Sequence, residues 1–117
     1  MQTAEQFRHF FIRIPPFRWT TGSFDKWRGY KKCALGHLGE GQAALVPYTG
    51  LFDSENAYRF DQLCRKYLRT TATAINDGKL KRMPPMVALL FETLKHPKKR
   101  IIAACDCMIY ADRLTLR

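Results

Sequence analysis

Two short segments combine residue types that could perform thiol chemistry. Cys33 and His37 stand four positions apart, so both would face the same way on a helix. Asn76 or Asp77 could complete a thiol-protease-like triad, in which the imidazole deprotonates the thiol. However, no local signature of a cysteine enzyme surrounds Cys33, and its apolar neighbours predict burial, which raises a thiol pKa. We therefore expect a structural cysteine and no enzymatic activity, with a Cys/His thiol hydrolase as the remote alternative.

Metal binding is the second chemistry that the cysteines suggest. Structural zinc sites pair their ligands at short spacing, and a second pair completes the tetrahedron. Cys105 and Cys107 lie two apart in a predicted helix, where their side chains diverge, and Cys33 with His37 supplies one half-site at most. The glycines also lack the strand–turn–helix context of a nucleotide-binding loop. We expect neither a metal nor a cofactor.

Basic residues carry the strongest functional signal. The 117 residues include 20 Lys and Arg against 10 Asp and Glu, a formal net charge of +10, which attracts polyanions. Between residues 65 and 100, ten basic and two acidic residues give +8. If the basic clusters lie on one side of the protein, they could follow a phosphate backbone. If they lie apart, they would be solvated ends of helices, where positive charge complements the helix dipole. We expect them to converge; they comprise Arg65, Lys66 and Arg69, then Lys79, Lys81 and Arg82, then Lys95, Lys98, Lys99 and Arg100.

Aromatic residues are concentrated near the start of the chain, where eight of the fifteen fall within the first 30 residues and alternate with basic ones. Trp19 and Trp27 lie on a predicted connector and are candidates for stacking on nucleic-acid bases. The competing interpretation is that they are buried anchors of the connector.

Helices must position these residues. The predicted fold is a mainly α, compact single domain of four to five helices over residues 1–117, with irregular connectors and room for one short strand pair. Val87, Leu90, Phe91 and Leu94 are expected to face the core. The helices are predicted over residues 3–14, from a cap at Asp53 or Ser54 through Tyr67, from Pro84-Pro85 to His96-Pro97, and from about Pro97 to Leu114.

The remaining segments are predicted as connectors. Lys31 to Leu38 is short and apolar, and residues 39–51 are expected to form a loop around the extended run 44–46. Residues 70–75 are rich in threonine and fit a brief strand or a fraying helix end, and residues 76–78 form an Asn-Asp-Gly turn signal. No apolar stretch reaches about 18 residues, and the N-terminus lacks a signal-peptide pattern. We therefore expect a cytoplasmic protein with no membrane partner.

Four short strings resemble those of small, uncharacterised proteins of bacteriophages and other mobile elements. They are W-T-T-G at 19–22, C-A-L-G-H-L-G at 33–39, I-N-D-G at 75–78 and K-R-I-I-A-A at 99–104. The resemblance implies a compact binder in a bacterial host cell, such as an anti-CRISPR-type inhibitor of host defence. The chain departs from these proteins in its heavy basic content, including Lys79-Leu80-Lys81-Arg82, which indicates a specialised partner.

Charge and resemblance together predict a non-enzymatic protein that binds RNA or a ribonucleoprotein. RNA is favoured over duplex DNA because no helix-turn-helix with a polar recognition helix is evident. The alternative is a protein-interaction module whose basic face docks on an acidic protein surface. Reversal of Lys98, Lys99 and Arg100 to glutamate is predicted to abolish binding while leaving the fold intact.

Overall fold

The computed structural model describes residues 3–22, 31–38 and 55–115, and this part of the chain is mainly helical, as predicted. Two single-turn 3₁₀ helices, at Pro16–Arg18 and Leu80–Arg82, connect the α-helices. The loop predicted at 39–51, the cap at Asp53 or Ser54, and Trp27 lie outside the described residues. The α-helices are α1 (Ala4–Ile12), α2 (Ala34–Leu38), α3 (Glu55–Leu68), α4 (Ala72–Asp77), α5 (Pro85–Phe91) and α6 (Pro97–Thr115).

The first helix begins at the capping box that the sequence predicts. The Thr3 backbone amide donates to Gln6 Oε1 at 2.8 Å, and Thr3 Oγ1 accepts from the Gln6 amide at 3.3 Å. These two bonds satisfy backbone groups that the first turn would otherwise leave unpaired. The helix ends at Ile12, two residues before the predicted end.

An aromatic cluster joins α1 and α3. The Phe60 ring lies edge-on to both Phe7 and Phe11, with ring centroids 5.1 Å apart in each pair. Such edge-to-face contacts add stability beyond the burial of apolar area. Beneath them runs α6, which packs against α1 and α4 and buries Ile101, Ala104, Cys105 and Met108, whereas Ile109, also predicted to be buried, is half-buried.

The segment predicted as a strand or a fraying helix end is instead the helix α4. Thr71 Oγ1 accepts from the Ala74 amide at 3.0 Å, and Asp61 of α3 accepts from the Ala72 amide at 2.7 Å. Two side-chain oxygens thus satisfy orphan amides at the start of α4, and one of them comes from another helix. At the other end Gly78, with φ of 78°, provides the left-handed residue that ends the helix.

One extended pairing joins two described segments. The parallel bridge joins Trp19 to Lys32, and the Thr20 amide donates to the Lys32 carbonyl at 3.0 Å. Where the sequence left room for a short strand pair, the described residues show this bridge. Leu90 departs from prediction, because α5 turns it outward and leaves it 67% exposed.

Candidate nucleic-acid interface

Residues of three of the four short strings, at 19–22, 33–39 and 75–78, form a buried polar network around the C-terminal end of α4. Asn76 Oδ1 accepts from the Ala34 amide at 3.0 Å, and Asn76 Nδ2 donates to the Thr20 carbonyl at 2.9 Å. Asp77 Oδ1 accepts from the Gly22 amide at 2.8 Å. Asn76 and Asp77 therefore hold together segments that are far apart in sequence, which is a structural role.

Arg100 brings the fourth string into the same network. Its Nε donates to the Ile75 carbonyl at 2.9 Å, its Nη1 to the Leu94 carbonyl at 3.0 Å, and its Nη2 to the Asn76 carbonyl. The Ile75 and Asn76 carbonyls belong to the last turn of α4, so the guanidinium caps that helix. At 6% exposure Arg100 is a structural residue, which corrects its assignment to the binding surface. A glutamate there would face three carbonyls, so reversing it would not leave the fold intact.

Cys33 and His37 lie inside the protein, next to this network. Burial raises the pKa of the Cys33 thiol, which disfavours the reactive thiolate. His37 Nε2 donates to the Arg18 carbonyl at 2.9 Å, and burial lowers the pKa of the ring to about 4. Its ring centroid lies 4.8 Å from that of Trp19. Asn76 and Asp77, the other members of the hypothetical triad, both accept backbone amide hydrogen bonds.

Two of the three basic clusters converge on one cleft. It has a volume of about 830 Å³ and lies between the end of α3 and the segment that follows α4. All five basic side chains that line it are exposed, and none of the described residues that line it carries a carboxylate. The five are Arg65, Arg69, Lys79, Lys81 and Arg82; the other lining residues, Thr70, Thr71, Ala74, Gly78 and Leu80, had no charge to suggest them from sequence.

Local structure explains why these cations meet. Arg65 lies in the last turn of α3, and Arg69 directly follows the helix, which ends at Leu68. The left-handed Gly78 then reverses the chain, so that Lys79 returns toward the same opening. Within the described residues Arg65 alone of the five forms an ion pair, with its Nε 2.8 Å from Asp61 Oδ2.

Arg69 adopts an unusual backbone conformation in this cleft. Its φ is 58°, the only positive value at a non-glycine position among the described residues. The left-handed conformation brings a Cβ atom too close to the following carbonyl, which is why glycine normally occupies such a position. Such outliers concentrate at functional sites, so this one marks the cleft for attention.

The third basic cluster lies elsewhere. Lys98 Nζ donates to the Ile12 carbonyl at 3.0 Å, and Lys98 and Lys99 line a separate, mainly apolar hollow of about 530 Å³. Lys95 is exposed but does not line the cleft, and Lys66 places its ammonium 5.0 Å from the centroid of the Tyr67 ring. The predicted convergence therefore holds for the first two clusters apart from Lys66, and not for the third cluster.

Trp19 is unavailable for stacking on bases. The side chain is 4% exposed, and its Nε1 donates to the Ile14 carbonyl at 3.3 Å. Its ring packs against Phe11 with a centroid separation of 5.6 Å. The buried-anchor interpretation is the correct one for Trp19.

Comparison with known proteins does not indicate a function for this chain. The chain matches no protein-family model, and neither the curated proteins nor the solved structures provide a match. Across residues 3–22, 31–38 and 55–115, no group of three His, Cys, Asp or Glu side chains could hold a metal ion. In the same ranges no helix is both long and apolar enough to cross a bilayer.

Proposed function

We propose that the protein binds structured RNA through the cleft between α3 and the segment after α4, without catalysing a reaction. The observation that carries the proposal is the grouping of five exposed basic side chains around one concavity, with no carboxylate among the described residues of its lining. A row of cations in a concave surface suits a polyanion, because binding releases the counterions condensed on its phosphates.

The lining of the cleft favours backbone contacts over base stacking. Single-strand binders usually supply aromatic platforms, and no aromatic side chain is found among the described residues that line the cleft. Folded or double-stranded RNA is instead recognised through its shape, phosphates and 2′-hydroxyls.

The direct test compares two triple variants that each lower the formal net charge by three, from +10 to +7. The cleft variant is Arg69→Gln, Lys81→Gln, Arg82→Gln. The matched control neutralises the exposed residues Arg13, Lys95 and Lys99, which do not line the cleft. Affinity for an RNA hairpin, an unstructured single strand of equal length and a DNA duplex is measured over a range of salt concentrations.

Loss of three phosphate contacts should reduce the slope of log affinity against log salt by about 2.7, and weaken hairpin binding on the order of a hundredfold at 0.15 M salt. The control triple should keep the wild-type slope, and the hairpin should bind more tightly than the single strand. If both triple variants lost RNA affinity equally, the loss would be explained by net charge alone and not by the cleft. Failure of the wild-type protein to bind any of the three probes at low salt would refute the proposal.

The alternative of an acidic protein partner makes an opposite prediction in cells. A complex that survives nuclease treatment and is lost in the cleft triple would replace RNA by protein as the ligand of the cleft. The role against a host defence system that the resemblance implies stays a prediction.

A further inference from the structure

The helix α5 presents an apolar surface to solvent. All seven of its residues, Pro-Met-Val-Ala-Leu-Leu-Phe, are apolar, yet only Phe91 is buried. Met86, Leu89 and Leu90 are 74%, 63% and 67% exposed. Their spacing of three and four residues places them side by side on one face, so they form a continuous ridge, which we call the α5 ridge.

A ridge of this kind is unusual on the outside of a small protein. A surface helix ordinarily turns charged or polar residues to water, and a helix that is apolar all round is ordinarily buried. Contiguous exposed apolar residues with a polar rim are typical of interaction surfaces, whereas single scattered ones need no explanation.

Basic residues flank the α5 ridge on both sides in sequence. The 3₁₀ helix Leu80–Arg82, which packs against α5, carries the exposed Lys81 and Arg82, and the exposed Lys95 follows the helix. Glu92 is the single acidic residue between positions 79 and 95. The complementary surface is therefore apolar along its centre and acidic at its edges.

We propose that the α5 ridge docks an acidic amphipathic helix of a protein partner. The apolar stripe of that helix would cover Met86, Leu89 and Leu90, while its carboxylates face Lys81, Arg82 and Lys95. A second copy of this chain fits poorly, because like basic flanks would oppose each other. A membrane surface fits poorly as well, because interfacial helices favour exposed aromatic anchors and the one aromatic residue of α5, Phe91, is buried.

The apolar part of the α5 ridge lies outside the basic cleft, because Met86, Leu89 and Leu90 do not line it. Lys81 and Arg82 do line the cleft, so a partner helix whose carboxylates face them would compete with RNA for these two side chains.

The test uses a synthetic helical peptide of about 20 residues, long enough to form a helix, with leucines on one face and glutamates on both flanks. Its binding to the full chain is measured by calorimetry, beside a scrambled peptide of the same composition. The ridge variant is Met86→Ser, Leu90→Ser. The matched control is Tyr110→Ser, Leu114→Ser, which removes two exposed residues of α6. Leu89→Lys serves as a second ridge variant, and unfolding curves verify that each variant folds.

We expect the ridge variant to bind the designed peptide at least about tenfold more weakly, as for loss of central interface anchors. The α6 control should bind like the wild type, the scrambled peptide should bind weakly, and RNA affinity should not change. The proposal is overturned if the wild type ignores the designed peptide or if folded ridge variants bind it normally. It is also overturned if the ridge variant instead abolishes self-association or binding to phosphatidylserine vesicles.

Discussion

Replacing Arg69 by glycine should make the protein more stable and a weaker RNA binder. With φ of 58°, Arg69 carries the steric cost of a left-handed residue, about 1–2 kcal/mol. Glycine removes that cost but loses about 0.5–1 kcal/mol more conformational entropy on folding. The difference favours Arg69→Gly by roughly 0.5–1 kcal/mol in the free energy of unfolding.

The same substitution removes one of the five cations of the cleft. Loss of a single phosphate contact should lower the salt slope by about 0.9 and weaken hairpin binding about fivefold at 0.15 M salt. Gain of stability with loss of binding is the trade-off expected where function maintains a strained residue.

Two further variants separate backbone strain from charge. Arg69→Ala removes the charge and keeps the Cβ atom, so it should bind RNA as weakly as Arg69→Gly without the gain in stability. Lys66→Gly, inside α3, should lower the free energy of unfolding by about 1 kcal/mol, the usual cost of glycine within a helix. Urea unfolding measures all three, and equal slopes against urea would show that the unfolded states are comparable. If Arg69→Gly is no more stable than Arg69→Ala, the argument from strain is wrong.

Three other predictions concern the buried network. Burial lowers the pKa of His37 from 6.5 to about 4, so the unfolded chain takes up a proton first as the pH falls. The contribution of His37 to stability is therefore complete above pH 6.5, and the free energy of unfolding should decrease by about 3 kcal/mol toward pH 4. Urea titrations at several pH values should find this dependence flattened in His37→Gln. Arg100→Lys should lower the free energy of unfolding by about 2–4 kcal/mol, because an ammonium group cannot reach the three carbonyls that the planar guanidinium binds. Thermal unfolding measures this loss, and an unchanged melting temperature would contradict the capping role of Arg100. Cys33→Ala should cost roughly 1–3 kcal/mol and keep RNA affinity, and a well-folded variant that no longer binds RNA would reopen the thiol hypothesis.

The helices that could be predicted are those with strong local signals. The start of α1 follows from Thr3 and Gln6, and α6 follows from a long apolar stripe after Pro97. The helix α4 could not be predicted, because its threonines favour extended structure locally and part of its N-terminal capping comes from Asp61 of another helix. Leu90 was placed on the wrong face because a helix made only of apolar residues has no polar side to orient it.

The candidate site was only partly predictable for a related reason. Counting charges located the basic clusters, but composition does not distinguish an exposed cation from one that caps a helix. Lys99 and Arg100 are neighbours in sequence, yet a rotation of about 100° along α6 leaves one exposed and turns the other inward. Convergence of the first two clusters depends on the reversal at Gly78, whose left-handed conformation the sequence does suggest.

The buried polar network and the basic cleft are formed by different side chains, which supports the assignment of the cleft. The side chains of Asn76, Asp77 and Arg100 form hydrogen bonds to the backbone of neighbouring segments, so their first effect is to specify the fold. The run Lys79-Leu80-Lys81-Arg82 begins directly after this network and lines the cleft. The exposed side chains of Lys79, Lys81 and Arg82 form none of the hydrogen bonds of this network, so we expect their charge to change with little cost to folding. The charges of the cleft are therefore independent of the hydrogen bonds that hold the fold. These charges are all basic among the described residues of the lining, as the proposed polyanionic ligand requires.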